Sequence, residues 1–265
     1  MLNLWPSLGV RRGRWIAGLA DLIKRGAIRK GFLIRRLPRG RQGDPFSDQL
    51  SLMQGRPVRT ILDVGAHLGE TALKYRRMFP QATIHSFEPV TKSYEQLAKA
   101  AAIDKNIVAN RLIVSDRVGR ASIHVSRYPF NSSVLRAASD AAATVGAELF
   151  DEVETYEVDS TTVDRYCVSH GIAEVDILKV DVQGGEIKVV RGAAGLLSRQ
   201  QVAIIYTELL VSHLYEGQSG LAALIEVYEE HGYSLYGLYD LAYGSESRLL
   251  QMDAIFLTQK LLEDH

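Results

Sequence analysis

Five acidic residues of this sequence are well placed to do chemistry, because each lies near the end of an apolar run that predicts a strand. They are Asp63, Glu88, Asp116, Asp181 and Glu208. In an open α/β sheet the carboxyl ends of parallel strands meet at one edge, and ligands bind there. Asp is also common in turns and helix caps, so a single such residue would carry little weight. Five together indicate a ligand site.

A glycine-bearing turn, Asp-Val-Gly-Ala-His-Leu-Gly-Glu, follows the first of these strands over residues 63–70. Gly65 and Gly69 would let a ligand approach the backbone and let the next helix pack closely. A dinucleotide fingerprint has a glycine at the third position, where this turn has His67. The turn therefore favours a cofactor without phosphates, such as S-adenosylmethionine, over NAD. Glu88 could accept hydrogen bonds from the two ribose hydroxyls of such a cofactor.

The elements that must position these residues alternate between short apolar runs and helical segments, as parallel βαβ units do. Five βα repeats followed by two strands predict an α/β fold: a doubly wound, mostly parallel sheet with a C-terminal antiparallel hairpin. Its strands are predicted at residues 60–64, 82–87, 107–114, 175–180, 202–207, 233–239 and 254–258. Two more half-buried strands are predicted at 121–126 and 153–158, and single helices at 92–102, 161–170, 185–198 and 221–231.

A basic segment precedes the sheet, although the formal net charge of the whole chain is zero. Residues 1–59 contain 13 Lys and Arg residues against three Asp, and Ile16, Leu19, Ile23 and Ala27 recur at helical spacing. We therefore predict a basic helical extension over 1–59, followed by one domain over 60–265. The extension could pack on that domain, or residues 1–41 could contact an anionic membrane surface. Nucleic acid is not expected as a partner, because the extension lacks interleaved aromatic residues.

The cellular compartment is predicted from two further observations. Cys167 is the single cysteine, so the chain can form no internal disulfide and no cysteine cluster for a metal. No apolar run reaches the roughly 18–20 residues of a membrane-spanning helix. We expect a cytoplasmic protein that could be peripheral at the inner membrane surface. The sequence gives no indication of its oligomeric state.

Several segments resemble the FkbM-type methyltransferases. These are DVGAHLG at 63–69, SFEP at 86–89, VSD at 114–116, LKVDVQGGE at 178–186 and VVRGA at 189–193. The resemblance extends over about residues 60–258 and implies a class I, Rossmann-like fold that binds S-adenosylmethionine. It also implies methyl transfer, commonly to a hydroxyl of a sugar or another secreted metabolite.

The resemblance also implies roles for individual residues. Asp63, Gly65 and Gly69 would line the methionine side of the cofactor, Glu88 would hold the ribose, and Ser115 and Asp116 would lie near the adenine. Asp181 is placed beside both cofactor and acceptor by its position and not by the resemblance, because it closes the fourth parallel strand next to the predicted switch point. The chain departs from the family at His67, where Asn is more usual, and at Gln183, where Glu is more usual. His67 could change the contacts near the methionine carboxylate.

An alcohol is a poor nucleophile at neutral pH, so a base or a metal ion must help to remove its proton. Asp181 is the first candidate for that base or for an acceptor anchor, followed by Glu208 and His213. Asp181 and Glu208 could instead bind a divalent cation, or they could hold sugar hydroxyls. An insertion over residues 128–151 is placed to cover the acceptor pocket, and the resemblance implicates its Asn131 and Ser132 in ligand contact.

We therefore predict an S-adenosylmethionine-dependent O-methyltransferase acting on a hydroxyl of a sugar, glycolipid or related natural product. Its partner would be a small-molecule or glycan acceptor. The alternatives are an N- or carboxyl-methyltransferase, an NAD(P) oxidoreductase, and a Rossmann-like binding module without catalytic activity.

Overall fold

The computed structural model describes residues 43–139, 150–244 and 247–264. Its strands are β1 (Thr60–Val64), β2 (Thr83–Phe87), β3 (Ile107–Asn110), β4 (Ile113–Val114), β5 (Gly119–Ser126), β6 (Glu152–Thr161), β7 (Val175–Val180), β8 (Val202–Leu210), β9 (Tyr233–Tyr243) and β10 (Leu249–Thr258). Its helices are α1 (Pro45–Leu52), α2 (Glu70–Met78), α3 (Thr91–Ile103), α4 (Val163–Ser169), α5 (Glu186–Gly192), α6 (Ala194–Ser198), α7 (Leu221–Glu230) and α8 (Gln259–Glu263), with a 3-10 turn at Pro129–Asn131.

The main sheet has seven strands in the order β3-β2-β1-β7-β8-β10-β9. The first five of these strands run parallel, whereas β10 runs antiparallel to both β8 and β9. The chain winds outward from β1 in one direction and from β7 in the other, so the switch point lies between β1 and β7. The predicted doubly wound, mostly parallel sheet with a C-terminal antiparallel hairpin is confirmed.

The central strands are apolar on both faces because helices cover both faces of the sheet. Successive side chains of a strand point to opposite faces, so neighbouring strands build two apolar rows. These rows are Ile61, Ile177 and Ile204 in one core cluster and Leu62, Leu178 and Ile205 in the other. All six side chains are buried.

The single strand predicted at 107–114 is wrong, because β3 ends at Asn110 and β4 belongs to a separate sheet of order β4-β6-β5. The side chain of Asn110 donates hydrogen bonds to the backbone oxygens of Val108 and Ser86, which ties the strand end back onto the sheet. The chain then leaves the main sheet. Asp116 therefore follows the second sheet, and it does not share the edge at which the other four acidic residues lie.

The single helix predicted at 185–198 is also wrong, because α5 and α6 are separated at Ala193. The carboxylate of Asp164 accepts hydrogen bonds from the backbone N–H groups of Gly195 (2.8 Å) and Leu196 (2.9 Å). Those groups belong to the first turn of α6, where N–H groups have no partner within the helix. A capping residue from α4 thus stabilises a new helix start.

Most of the predicted basic extension, residues 1–42, lies outside the described residues, and its contact with a membrane stays a prediction. The later part contains α1, which Asp44 caps by accepting a hydrogen bond from Ser47 N at 2.8 Å. Asp48 accepts a hydrogen bond from the Tyr239 hydroxyl (2.6 Å), and Gln49 accepts one from Tyr75 (2.9 Å). Helix α1 is therefore attached to the domain. No helix in the described ranges is long and apolar enough to cross a membrane.

The backbones at the ends of β1 and β7 approach very closely. Gly65 has φ +79°, and a Cβ atom there would lie 1.8 Å from the backbone oxygen of Asp181. Real Cβ atoms do not come so close to an oxygen, so any other residue would push the two strand ends apart. Gly65 is thus required by the packing of the switch point as well as by its left-handed backbone.

We predict that Gly65→Ala destabilises the protein by about 3 kcal/mol or more, because it adds a clash to backbone strain. The matched control is Gly171→Ala, where φ is +65° but nothing lies within 4 Å of the added Cβ. In that variant the free energy of unfolding should fall only by the roughly 1–2 kcal/mol that alanine costs in the left-handed backbone conformation. Urea unfolding measures both changes. Equal losses in the two variants would show that the close approach at Gly65 is not a constraint.

Candidate active site

A cavity of about 900 Å³ lies at the carboxyl ends of β1, β2, β7 and β8, at the switch point of the main sheet. Its size is within the range of small-molecule sites. Residues 129–134 of the predicted insertion line it, as does Gln251 of β10. Five of the residues predicted for the site also line it: Gly65, His67, Glu88, Asp181 and Glu208. The part of the alanine-rich insertion that spans residues 140–149 lies outside the described residues.

Glu88 is held against the glycine turn by the backbone. Its Oε2 accepts a hydrogen bond from His67 N at 2.9 Å, and its Oε1 accepts one from Val90 N at 2.7 Å. Burial raises the pKa of Glu88 to about 7, although both hydrogen bonds oppose the shift. Each carboxylate oxygen keeps a further acceptor position. Glu88 can therefore accept hydrogen bonds from a ligand in the cavity.

Lys179 on β7 places a buried ammonium group between the two central strands. Its Nζ lies 3.4 Å from Asp63 Oδ1, 3.4 Å from Asp181 Oδ2, and 2.6 Å from the backbone oxygen of Gly65. Burial alone would lower the pKa of Lys179, but Asp181 and Asp63 outweigh it and raise the pKa. The lysine is therefore protonated, and it connects the glycine turn to the carboxylate that follows β7.

Asp181 and Glu208 are joined by the side chain of Gln183. Gln183 Nε2 donates to Asp181 Oδ1 at 3.1 Å and to Glu208 Oε2 at 2.9 Å. The other oxygen of Glu208 accepts a hydrogen bond from Gln251 Nε2 at 2.7 Å. Burial raises the pKa of Glu208 well above its ordinary value, and Asp181 adds to the shift. The floor of the cavity therefore offers carboxylates and amides in one hydrogen-bonded network.

Four predicted cofactor residues and one predicted catalytic residue do not line the cavity. Asp63 is fully buried behind Lys179, and Gly69 lets α2 pack closely, because a Cβ there would lie 3.0 Å from a Leu97 methyl group. Ser115 and Asp116 follow β4, where Ser115 N bonds to the Thr161 oxygen. His213 is exposed at the surface. The residues outside the cavity are Asp63, Gly69, Ser115, Asp116 and His213.

Sequence reasoning missed several residues of the cavity. Lys179 carries a signal in hindsight, because a lysine within an apolar strand needs a buried partner. Leu250 and Gln251 carry none, because nothing local distinguishes them from other strand residues. They reach the cavity only through tertiary packing.

No group of three or more His, Cys, Asp or Glu side chains within residues 43–139, 150–244 and 247–264 is arranged to hold a metal ion. Asp181 and Glu208, the pair predicted as metal ligands if any were present, form hydrogen bonds with Gln183.

The chemistry of the cavity lining fits S-adenosylmethionine. The acidic residues among its described lining residues are Glu70, Glu88, Asp181 and Glu208. Lys179 is the single Lys or Arg among the described lining residues. An acidic lining suits a positively charged cofactor without phosphates and does not suit a pyrophosphate. The end of β2 and the residues around β4 add apolar groups, which suit a flat base.

The strand order, the glycine turn and this acidic cavity together define the class I, Rossmann-like methyltransferases. A family model described as "Methyltransferase FkbM domain" matches residues 63–235. The chain therefore belongs to the FkbM methyltransferase family, and it is an S-adenosylmethionine-dependent methyltransferase.

Two curated proteins illustrate the family. The chain is 27% identical over 184 residues to 2-O-methyltransferase NoeI of Sinorhizobium fredii (strain NBRC 101917 / NGR234). This alignment covers 67% of this chain and 74% of that protein. It is 26% identical over 216 residues to 31-O-demethyl-FK506 methyltransferase FkbM of Streptomyces tacrolimicus, and this alignment covers 72% of this chain and 79% of that protein.

Among solved structures, the precorrin-6y C5,15-methyltransferase of Geobacter metallireducens GS-15 is 10% identical and superposes with a TM-score of 0.43, covering 80% of this chain and 85% of that one. The fold class rests on the strand order of the main sheet and not on this superposition.

We predict that ionisation of Glu186 destabilises the protein as pH rises. Glu186 Oε1 accepts hydrogen bonds from Val182 N at 3.0 Å and Gly184 N at 3.2 Å, and burial raises its pKa from 4.5 to about 7. Between those values the folded state binds a proton that the unfolded state has lost, so stability falls with rising pH. Glu186→Gln keeps the accepting oxygen and removes the titration.

Relative to Glu186→Gln, the free energy of unfolding of the wild type should therefore fall by up to about 3 kcal/mol between pH 4.5 and 7. It should fall no further above pH 7. Urea unfolding across this pH range measures the difference. The control is Glu229→Gln, an exposed change on α7 that should follow the wild type at every pH. A constant difference between wild type and Glu186→Gln would contradict the shifted pKa.

Proposed function

We propose that this methyltransferase transfers a methyl group to a hydroxyl of a sugar, glycolipid or related natural product, with Asp181 removing the hydroxyl proton. The observation that carries the proposal is the network of Asp181, Gln183, Glu208 and Gln251 on the floor of the cavity. Such a network offers both donors and acceptors to hydroxyl groups. The names of both curated relatives place the methyl group on oxygen, which supports the same acceptor atom.

Asp181 suits the role of base because it joins the buried and the open parts of the cavity. Its side chain is 42% exposed, and its Oδ2 lies 3.4 Å from the ammonium of Lys179. When bound, S-adenosylmethionine would supply the electrophilic methyl group, and its carbon–sulfur bond would break to leave neutral S-adenosylhomocysteine. Asp181 takes the proton from the acceptor oxygen as that oxygen forms its bond to carbon, and then releases the proton to solvent. Lys179 balances the negative charge of the carboxylate before the proton arrives.

Two exposed aromatic residues favour a ring-shaped acceptor. Phe130 and Tyr243 both line the cavity and are 53% and 58% exposed. A sugar ring presents hydroxyls at its edge and C–H groups on its faces. The polar floor can bind the hydroxyls while the aromatic rings contact a face of the sugar.

We further propose that Glu88 holds the cofactor ribose and that the backbone of residues 65–67 contacts the methionine part. Asp63 and Gly69 would then support the cofactor indirectly, through Lys179 and through the packing of α2. The adenine roles expected for Ser115 and Asp116 have no support from the cavity lining.

Glu88→Gln should weaken binding of S-adenosylhomocysteine by about tenfold or more, because an oxygen that accepts hydrogen bonds is replaced by an NH₂ group that can only donate them. Asp116→Asn is the matched control and should leave the dissociation constant unchanged. Titration calorimetry on both variants measures the effect. Weakened binding in Asp116→Asn alone would reverse the assignment and restore the adenine site expected from the sequence.

Asp181→Asn should lower kcat by about 100-fold or more while the dissociation constant of S-adenosylhomocysteine changes little. The exposed residue Asp159 gives the control, and Asp159→Asn should keep full turnover. The assay follows methyl transfer from ¹³C-methyl-labelled S-adenosylmethionine to a panel of oligosaccharides and polyhydroxylated natural products. NMR of the product then shows which atom carries the label.

A labelled methyl on nitrogen or on a carboxylate would replace this proposal with an N- or carboxyl-methyltransferase. Full turnover by Asp181→Asn on a hydroxyl acceptor would keep the reaction and remove Asp181 as its base.

A further inference from the structure

The backbone of Gln183 has an unusual conformation that is held by a hydrogen bond from the insertion. Gln183 has φ +56°, and Gly184 follows with φ +91°. Non-glycine residues seldom adopt positive φ, and they do so where surrounding structure holds them. Here Ser133 Oγ donates a hydrogen bond of 2.6 Å to the Gln183 backbone oxygen. The insertion that carries Ser133 thus sets the direction in which the Gln183 side chain points.

The side-chain amide of Gln183 is fixed at both ends. Its Oε1 accepts a hydrogen bond from the buried Tyr215 hydroxyl at 3.0 Å. Its Nε2 lies within hydrogen-bond distance of Asp181 Oδ1 and Glu208 Oε2, and an amide nitrogen can only donate hydrogen bonds. The NH₂ group must therefore point between the two acidic side chains, with each hydrogen directed at one of them.

Two carboxylates in a poorly solvated site repel each other, and many proteins hold such pairs with a divalent cation. In this chain an amide nitrogen lies between them, 3.1 Å from one oxygen and 2.9 Å from the other. A cation bound to the same two oxygens would have to occupy the space that this nitrogen fills, because Mg²⁺ binds oxygen at about 2.1 Å.

We propose that Gln183 is a positioning residue that holds Asp181 and Glu208 together in place of a cation. The amide keeps the Asp181 carboxylate directed at the acceptor, and it makes the pair independent of divalent metal. The inference rests on the proposed function for its activity readout, whereas its cation readout is independent of any methyl acceptor.

Two substitutions at the same position separate the parts of this proposal. Gln183→Asn tolerates the left-handed backbone but is one methylene shorter, so its amide cannot reach both carboxylates. It should lower kcat by about tenfold or more, with little change in the acceptor KM or in S-adenosylhomocysteine binding. Gln183→Glu keeps the length but replaces the bridging NH₂ with an oxygen, which creates three neighbouring carboxylates.

Gln183→Glu should therefore lose turnover in EDTA, recover part of it in millimolar MgCl₂, and show a Tm that rises with Mg²⁺. The wild type, Gln183→Asn and the control Gln96→Glu, which adds a carboxylate on the exposed side of α3, should show no specific rise. Thermal unfolding in EDTA and in MgCl₂ gives this readout without an acceptor.

Three results would overturn the proposal. They are full kcat in Gln183→Asn, a wild-type Tm that rises with Mg²⁺ as much as that of Gln183→Glu, or no Mg²⁺ response in a folded Gln183→Glu. If Gln183→Glu does not fold, Gln183→Asn and the wild-type response to Mg²⁺ decide the question. If no hydroxyl is methylated, the proposed function fails, and the Tm series still tests the amide bridge.

Discussion

The buried ammonium of Lys179 is the interaction on which the rest of the site depends. A charge taken out of water is costly unless several partners compensate it, and this one has Asp63, Asp181 and the Gly65 carbonyl within 3.4 Å. Those partners come from both sides of the switch point, so the lysine holds the glycine turn and the end of β7 in one arrangement. The cofactor turn and the candidate base are thereby positioned by the same charge.

The acidic lining of the cavity follows from this arrangement. One cation serves two aspartates, and further carboxylates at Glu88 and Glu208 are held by backbone N–H groups and amides instead of lysine or arginine. The pocket thus combines an acidic lining with one buried lysine, which suits a cationic cofactor better than a pyrophosphate. Both the acidic lining and the His67 position therefore suit a dinucleotide poorly.

The positions of most main strands and their mostly parallel direction could be predicted from the sequence, because periodicity and length identify buried parallel strands such as β1 and β7. The glycine turn and the acidic strand ends could be predicted for the same reason. The end of β3 at Asn110 could not, since it depends on side-chain hydrogen bonds to a neighbouring strand. The exclusion of His213 and Asp116 from the cavity likewise depends on where later segments pack. Local patterns identify strand ends but do not decide which side chains share a wall.

The strand order has a consequence for the time at which the protein becomes able to bind its cofactor. Strands β1, β2 and β3 follow one another along the chain and are neighbours in the sheet, so they can pair early in synthesis. The other side of the switch point is β7, which leaves the ribosome more than 100 residues after β1. The contacts of helix α1 with the domain are completed later still, because Asp48 accepts a hydrogen bond from Tyr239 in the last hairpin. The nascent chain therefore carries half of a cofactor site, with Asp63 lacking its lysine, until β7 has inserted beside β1.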